Sequence, residues 1–192
     1  MAEARSRTPR HWGFHELHCH VASRIVADAA IRPGDLVLDI GAGTGTLSVP
    51  LATAGARVVA IELHPERLQA LYERFGSSDR GGVRVVRADA GSLRLPRQPF
   101  RVVANPPFAL TTQIIRRLLA PGSRLVAADL VVPRHVLWRW MDRGAPGAGR
   151  WRKEFVLAQG RRVPRSAFRP AAPADCVVLT IRRRTALGRG GR

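Results

Sequence analysis

Lysine is almost missing from this chain of 192 residues: of its 32 basic residues only Lys153 is a lysine. Nearly every positive charge is therefore a guanidinium. Acids are scarce too, 14 in all, which leaves a formal net charge of +18. A codon bias toward arginine would explain the choice of cation but not so large a surplus over acids. The surplus argues for a polyanionic partner, and planar guanidinium groups suit phosphate and base-stacking contacts. Only two cysteines occur, Cys19 and Cys176, far apart and outside any CxxC spacing. That excludes a disulfide scaffold and points to free thiols in a reducing compartment. No apolar run reaches the length of about 18 residues that a membrane helix requires. The N-terminus, MAEARSRTPRHW, holds no apolar signal core. A cytoplasmic protein without a membrane partner is expected.

What is present is a regular alternation. Short apolar runs stand at LVLDIG (36–41), RVVAIEL (57–63), VRVVRAD (83–89), FRVVANP (100–106) and SRLVAADLVV (123–132). Between them TLSVPLATA, PERLQALYERF and TTQIIRRLLA space apolar residues three and four apart. Strands alternating with helices imply βα units and a mainly parallel sheet, here an α/β fold of seven strands with helices on both faces. A first helix is expected over 14–31, stopped at Arg32-Pro33-Gly34. Residues 143–152, RGAPGAGRWR, read as a loop. Two late strands are expected around FVLAQGRRV and over 176–184. No repeat recurs at a fixed period, and 45% hydrophobic content suffices for one domain with a full core. The expected boundaries are a basic tail over 1–11, one domain over 12–184 and an Arg/Gly-rich tail over 185–192.

The run 36-LVLDIGAGTGTLS-48 combines a strand, a glycine-rich turn and a helix start. Gly41, Gly43 and Gly45 let the backbone turn tightly and approach a ligand at the first βα crossing. Such a turn alone is shared by dinucleotide folds. Glu62 ends the second strand, 23 residues after Asp39, where a carboxylate can hold both hydroxyls of a ribose. Leu63 follows it. Asp89, with Ala90, ends the third strand, where a carboxylate can accept from an adenine amine. Asp39 stands before the turn, placed to organise the loop and the far end of the ligand.

After the fourth strand comes 105-NPPF-108. Two successive prolines fix φ twice and remove two backbone donors, which an ordinary strand end has no use for. An exocyclic amine of adenine does: its lone pair is delocalised into the ring. Accepting hydrogen bonds from both of its N–H groups draws the nitrogen toward tetrahedral geometry and frees the lone pair. The Asn105 side-chain oxygen and the Pro106 carbonyl could be those acceptors, and Phe108 could stack on a base taken out of its own stack.

In this order the glycine turn, the two acids and NPPF resemble the class I S-adenosyl-L-methionine (SAM) methyltransferases over roughly residues 34–132; NAD enzymes share only the first acid. The resemblance implies SAM as cofactor, held by Asp39, Gly41, Gly43, Gly45, Glu62, Leu63, Asp89, Ala90 and Asn105, with Asn105, Pro106 and Phe108 catalytic. NPPF is similar to signatures shared by DNA adenine, release-factor glutamine and rRNA adenine-N6 enzymes. Residues 163-VPRSAFRPAAPADCVVLTIRR-183 resemble the closing signature of the erythromycin-resistance (Erm) and small-subunit rRNA dimethyladenosine enzymes: Val163, Pro164, Phe168 and Pro170 match, while Ala172 and Cys176 replace Pro and Ser. The chain is identified as an Erm-type 23S rRNA adenine-N6 methyltransferase in a short form without a helical C-terminal domain. In the usual place of Q(N/H)F(L/I) stands 11-HWGFHELH-18, with Trp12 and Phe14 able to cover the SAM site. NPPF instead of NIPF keeps a DNA adenine methyltransferase open, and a non-catalytic RNA-binding factor on the same fold is the alternative of another class.

The resemblance implies naked or partly assembled 23S rRNA as substrate, methylation at the macrolide site, and resistance to macrolide, lincosamide and streptogramin B drugs. A monomer is expected. The RNA contacts are expected from Arg134, Arg139 and Arg152, where arginines interleave with tryptophans. Arg182, Arg183 and Arg184 are expected past the last strand with no acid nearby. Phe168 either closes the base pocket or packs in the core. Trp138 and Trp140 are expected mainly to pack on the sheet. His11, His15, His18 and His20 with Cys19 match no standard zinc spacing, so no metal is expected.

Overall fold

A computed structural model describes residues 15–76 and 82–184; the two expected tails, with Trp12 and Phe14, fall outside them. Five of the expected strands form within one or two residues of their expected bounds: β2 (Leu36–Ile40), β3 (Arg57–Glu62), β4 (Val83–Arg87), β5 (Phe100–Ala104) and β6 (Leu125–Pro133). They are followed by β7 (Phe155–Val163) and β9 (Cys176–Arg183). The seven make one sheet in the order β4-β3-β2-β5-β6-β9-β7. β4 to β6 run parallel, and β9 lies antiparallel between β6 and β7. A two-stranded ribbon pairs β1 (Glu16–Leu17) with β8 (Phe168–Arg169), Leu17 opposite Phe168.

The central strands are nearly continuous apolar runs because both faces are covered. On one face α1 (Cys19–Asp28), α2 (Ser48–Thr53) and α3 (Pro65–Phe75) bury Ile25, Leu51 and Leu71. On the other, α4 (Thr111–Leu118), α5 (Arg134–Met141) and α6 (Ala148–Trp151) bury Ile115, Leu118, Trp140 and Trp151. The ends of α3 follow from local chemistry: Pro65 pre-sets φ at its start, and Gly76 leaves it at φ +80°.

Three expectations change. The first helix spans only Cys19–Asp28, because Glu16–Leu17 pairs as a strand instead. Residues 143–152 are not merely a loop: they carry α6, whose Trp151 packs against Trp140 at 6.2 Å between ring centroids. Trp138 does not pack on the sheet; it is 54% exposed, two positions before the buried Trp140 and so on roughly the opposite face of the helix.

Candidate active site

The strand order reverses between β2 and β5, and a cleft opens there at the carboxyl ends of the strands, as open α/β sheets dictate. The glycine turn forms its floor. The amides of Gly41 and Ala42 donate to the Ile61 carbonyl at 2.8 and 2.9 Å, which ties the turn to β3. Gly41 sits at φ +77°, and a Cβ there would lie 2.9 Å from Pro107 Cδ. Only glycine lets the turn and the NPPF segment approach so closely.

Glu62 is buried at the end of β3 and holds the turn together. Its Oε2 accepts from the Gly43 amide at 2.9 Å, and its Oε1 accepts from the amides of Leu63 and His64, each at 2.8 Å. Asp39 Oδ2 accepts from Ser48 Oγ at 2.7 Å, which fixes the start of α2. Burial raises the Asp39 carboxyl from 3.8 to about 7, against the lowering effect of that hydrogen bond. Asp89 Oδ1 accepts from the Gly91 amide at 2.8 Å, closing its loop. Arg67 also lines the cleft; burial lowers its pKa, opposed by the charges of Glu62, Glu16 and Glu66.

Asn105 is oriented by a contact that spans the chain. Its Nδ2 donates to the His15 carbonyl at 2.8 Å, so the amide cannot be turned round without facing two oxygens. The Oδ1 is thereby aimed elsewhere, buried and without a hydrogen-bond partner. Phe108 stands beside it, with the His15 ring stacked at 5.9 Å and the Phe168 ring nearly perpendicular at 6.5 Å, both between ring centroids. Pro106, Leu63 and Ala90 complete the wall. Phe168 is only 3% exposed and belongs to the core. It supports Phe108 from behind, and no face of it is left for an RNA base.

The other expected RNA contacts divide. Arg134 and Arg139 are exposed on α5. Arg182 and Arg183 are not past the last strand; both lie within β9 and both have acids beside them. Arg182 reaches Asp129 at 2.8 Å and donates to the Ala128 carbonyl. Burial raises the Asp129 carboxyl, while the Arg182 hydrogen bond and charge oppose the rise. Arg183 pairs with Glu154 at 2.8 Å, donates to the carbonyls of Leu125 and Ser123, and lies 4.5 Å from the Phe155 ring centroid. Arg152 donates to the carbonyls of Met141 and Asp142 at the end of α5, and Arg184 donates to the Arg152 carbonyl. These guanidinium groups are spent on the fold, because backbone carbonyls at strand and helix ends compete for them.

The sequence offered His15 only as a zinc candidate and did not single out Glu16. Glu16 Oε1 accepts from Thr46 Oγ1 at 2.7 Å and from Thr44 Oγ1, so β1 is latched to the glycine turn. His15 Nδ1 lies 3.1 Å from the Pro170 carbonyl, tying the same strap to the β8 segment.

Two buried oxygens in one cleft, Asp39 Oδ1 and Asn105 Oδ1, have no partner, and Glu62 Oε2 accepts a single amide. A ligand rich in donors is what such a wall lacks. SAM fits: Glu62 would hold its ribose hydroxyls, Asp89 its adenine amine, and the Asp39 end of the cleft its ammonium group. Sheet order, glycine turn and the acids after β3 and β4 give the chain the fold of the class I SAM-dependent methyltransferases. More narrowly, the chain belongs to the ribosomal RNA adenine dimethylase family, whose profile matches residues 16–188.

The chain is 34% identical over 167 residues to the rRNA adenine N-6-methyltransferase of Corynebacterium diphtheriae, covering 85% of this chain and 64% of that protein. It is 32% identical over 188 residues to ribosomal RNA small subunit methyltransferase A of Moorella thermoacetica, covering 86% and 63%. Among solved structures, the 23S rRNA methyltransferase ErmE superposes with a TM-score of 0.76 at 26% identity, over 88% of this chain and 70% of that one. The chain thus spans somewhat under two thirds of the length of these two curated relatives.

Proposed function

We propose that this protein methylates N6 of one adenine in 23S rRNA, at the macrolide site of the peptidyl-transferase loop. The observation that carries the reading is the Asn105 amide, pinned by the His15 carbonyl with its buried Oδ1 left open. Bound in the cleft, SAM supplies an electrophilic methyl group. Asn105 Oδ1 accepts one N6–H and the Pro106 carbonyl accepts the other, which frees the nitrogen lone pair. Phe108, backed by Phe168 and flanked by His15, stacks on the extruded base. The new bond is N6–CH3, the broken bond is the methyl–sulfur bond, and the surplus N6 proton leaves to solvent afterwards. No general base is needed, so catalysis is positioning and electrostatics.

The closing signature at Val163, Pro164, Phe168 and Pro170 and the likeness to ErmE support an Erm-type target. They also support resistance to macrolide, lincosamide and streptogramin B drugs as the outcome. The substrate would be naked or partly assembled RNA, met by a monomer in the cytoplasm. A small-subunit rRNA target is the second reading, favoured by the 32% identity to the Moorella enzyme. Tritiated SAM offered with naked 23S rRNA, 16S rRNA and duplex DNA tests the proposal. Label at one adenine of 23S rRNA is expected. Label only on 16S rRNA moves the protein to the second reading, and label only on DNA defeats both.

A further inference from the structure

Trp138 is the most exposed of the large apolar side chains among the described residues, 54% open on a helix whose other tryptophan, Trp140, is fully buried. A helix that only covers the sheet has no use for an indole on its outer face. The neighbours are basic. Arg134, one turn before Trp138, and Arg139, next to it, are both exposed, and so is His135. No acid occurs in α5, whose sequence is RHVLWRWM. Helical spacing puts 134, 135, 138 and 139 on one face, with about 6 Å of axial rise between Arg134 and Trp138.

The position of the face matters as much as its composition. α5 follows β6 directly, and β6 is parallel to β5, so Arg134 stands at the carboxyl end of the sheet where the cleft opens. Arg152 holds the other end of α5 through the Met141 and Asp142 carbonyls, so the face is carried on a pinned helix. Basic groups beside a solvent-exposed indole match single-stranded nucleic acid, whose bases have π-faces and whose backbone has phosphates. An apolar protein surface would leave the local excess of positive charge unmatched.

We propose that the outer face of α5 is a second RNA subsite, in which Trp138 stacks on an unpaired base near the target adenine while Arg134 and Arg139 hold flanking phosphates. The inference rests on the rRNA reading above and adds the class of structure it recognises: an unpaired strand, not a duplex. An adenine extruded at NPPF leaves its neighbours unstacked, and an indole outside the cleft replaces part of that lost stacking.

The probes are a fluorescein-labelled oligo-adenylate, the same strand annealed to its complement, and naked 23S rRNA. Trp138→Ala should weaken binding of the single strand about 10-fold, leave the duplex nearly unaffected, and leave SAM affinity and thermal melting unchanged. Trp138→Phe should restore most of the loss. The salt dependence of Trp138→Ala should equal that of the wild type, since stacking releases no counterions. Arg134→Ala with Arg139→Ala should reduce the slope by roughly 0.7 per phosphate contact. Unchanged single-strand affinity in Trp138→Ala overturns the subsite, even if the variant has lost self-association by sedimentation. Methylation by the wild type provides the separate control. If no rRNA is methylated but Trp138→Ala still loses single-strand affinity, the subsite stands and the enzymatic reading falls. If rRNA is methylated and Trp138→Ala binds normally, the reverse holds.

Discussion

Removing the Asn105 side chain separates chemistry from cofactor binding. In Asn105→Ala the acceptor for one N6–H disappears, and so does the donor that satisfied the His15 carbonyl at 2.8 Å. Loss of one preorganised polar group that acts on the transition state costs about 100-fold in kcat, or about 2.7 kcal/mol. The lost hydrogen bond to His15 costs stability of about 1 kcal/mol, which lowers Tm by only about 2–4 °C in a chain of this size. The glycine turn does not depend on Asn105, because Glu62, Ile61 and Ser48 hold it. SAM affinity measured by calorimetry should therefore stay near the wild-type value while single-turnover transfer collapses. Asn105→Asp keeps one acceptor oxygen but turns another toward the His15 carbonyl, so its rate should be intermediate. Undiminished transfer by Asn105→Ala would refute the two-acceptor argument outright.

Glu62→Gln should weaken SAM binding, since its amide NH2 must face at least one of the three backbone donors that the carboxylate now accepts; Asp89→Ala should weaken it too, and normal binding by both variants would dismiss the assigned cleft. Because burial raises the Asp39 carboxyl to about 7, the folded protein holds a proton there that the unfolded chain has already lost. Stability from this group is therefore full at low pH and declines as pH rises from about 4 to 7; Asp39→Asn should flatten the melting temperature over that interval. Arg182→Ala should destabilise the fold by about 2 kcal/mol, as loss of a hydrogen bond to a charged group does, without altering the salt slope of RNA binding. Truncation after Arg184, which removes Arg189 and Arg192, should instead lower that slope by roughly 0.7 to 0.9 per lost contact, and identical slopes would show that the tail holds no phosphate.

That Asp39, Glu62, Asp89 and Asn105 line one cleft was legible because they sit at or near strand ends. Each follows a run whose apolar character announces a buried parallel strand, so chain order alone brings them to one edge. The strap was not legible. His15 meets Asn105 across 90 positions, and nothing in HEL declares a strand, since two residues carry no period. The arginines were misjudged for a different reason: net charge ignores where partners lie. Arg182 meets Asp129 only because β9 inserts beside β6 in antiparallel register. Trp138 and Trp140 differ only in helix phase, and the boundary of α5 that sets the phase is fixed by Pro133 and by the strand before it.

The place of β9 between β6 and β7 governs how the molecule is assembled. β7 precedes β9 in the chain yet touches the rest of the sheet only through it. Until β9 has been made, β7 is a strand with no neighbour, and the two enter the sheet together as a hairpin docking on β6. The segment joining them, from Pro164 to Asp175, carries β8, which pairs with β1 and puts Phe168 behind Phe108. The loop of that hairpin is thus also the piece that receives the strap. A nascent chain can shape its glycine turn early, but the surroundings of Asn105 and Phe108 are finished only by the last strand to arrive, so a molecule with a complete base pocket is one whose sheet has already closed.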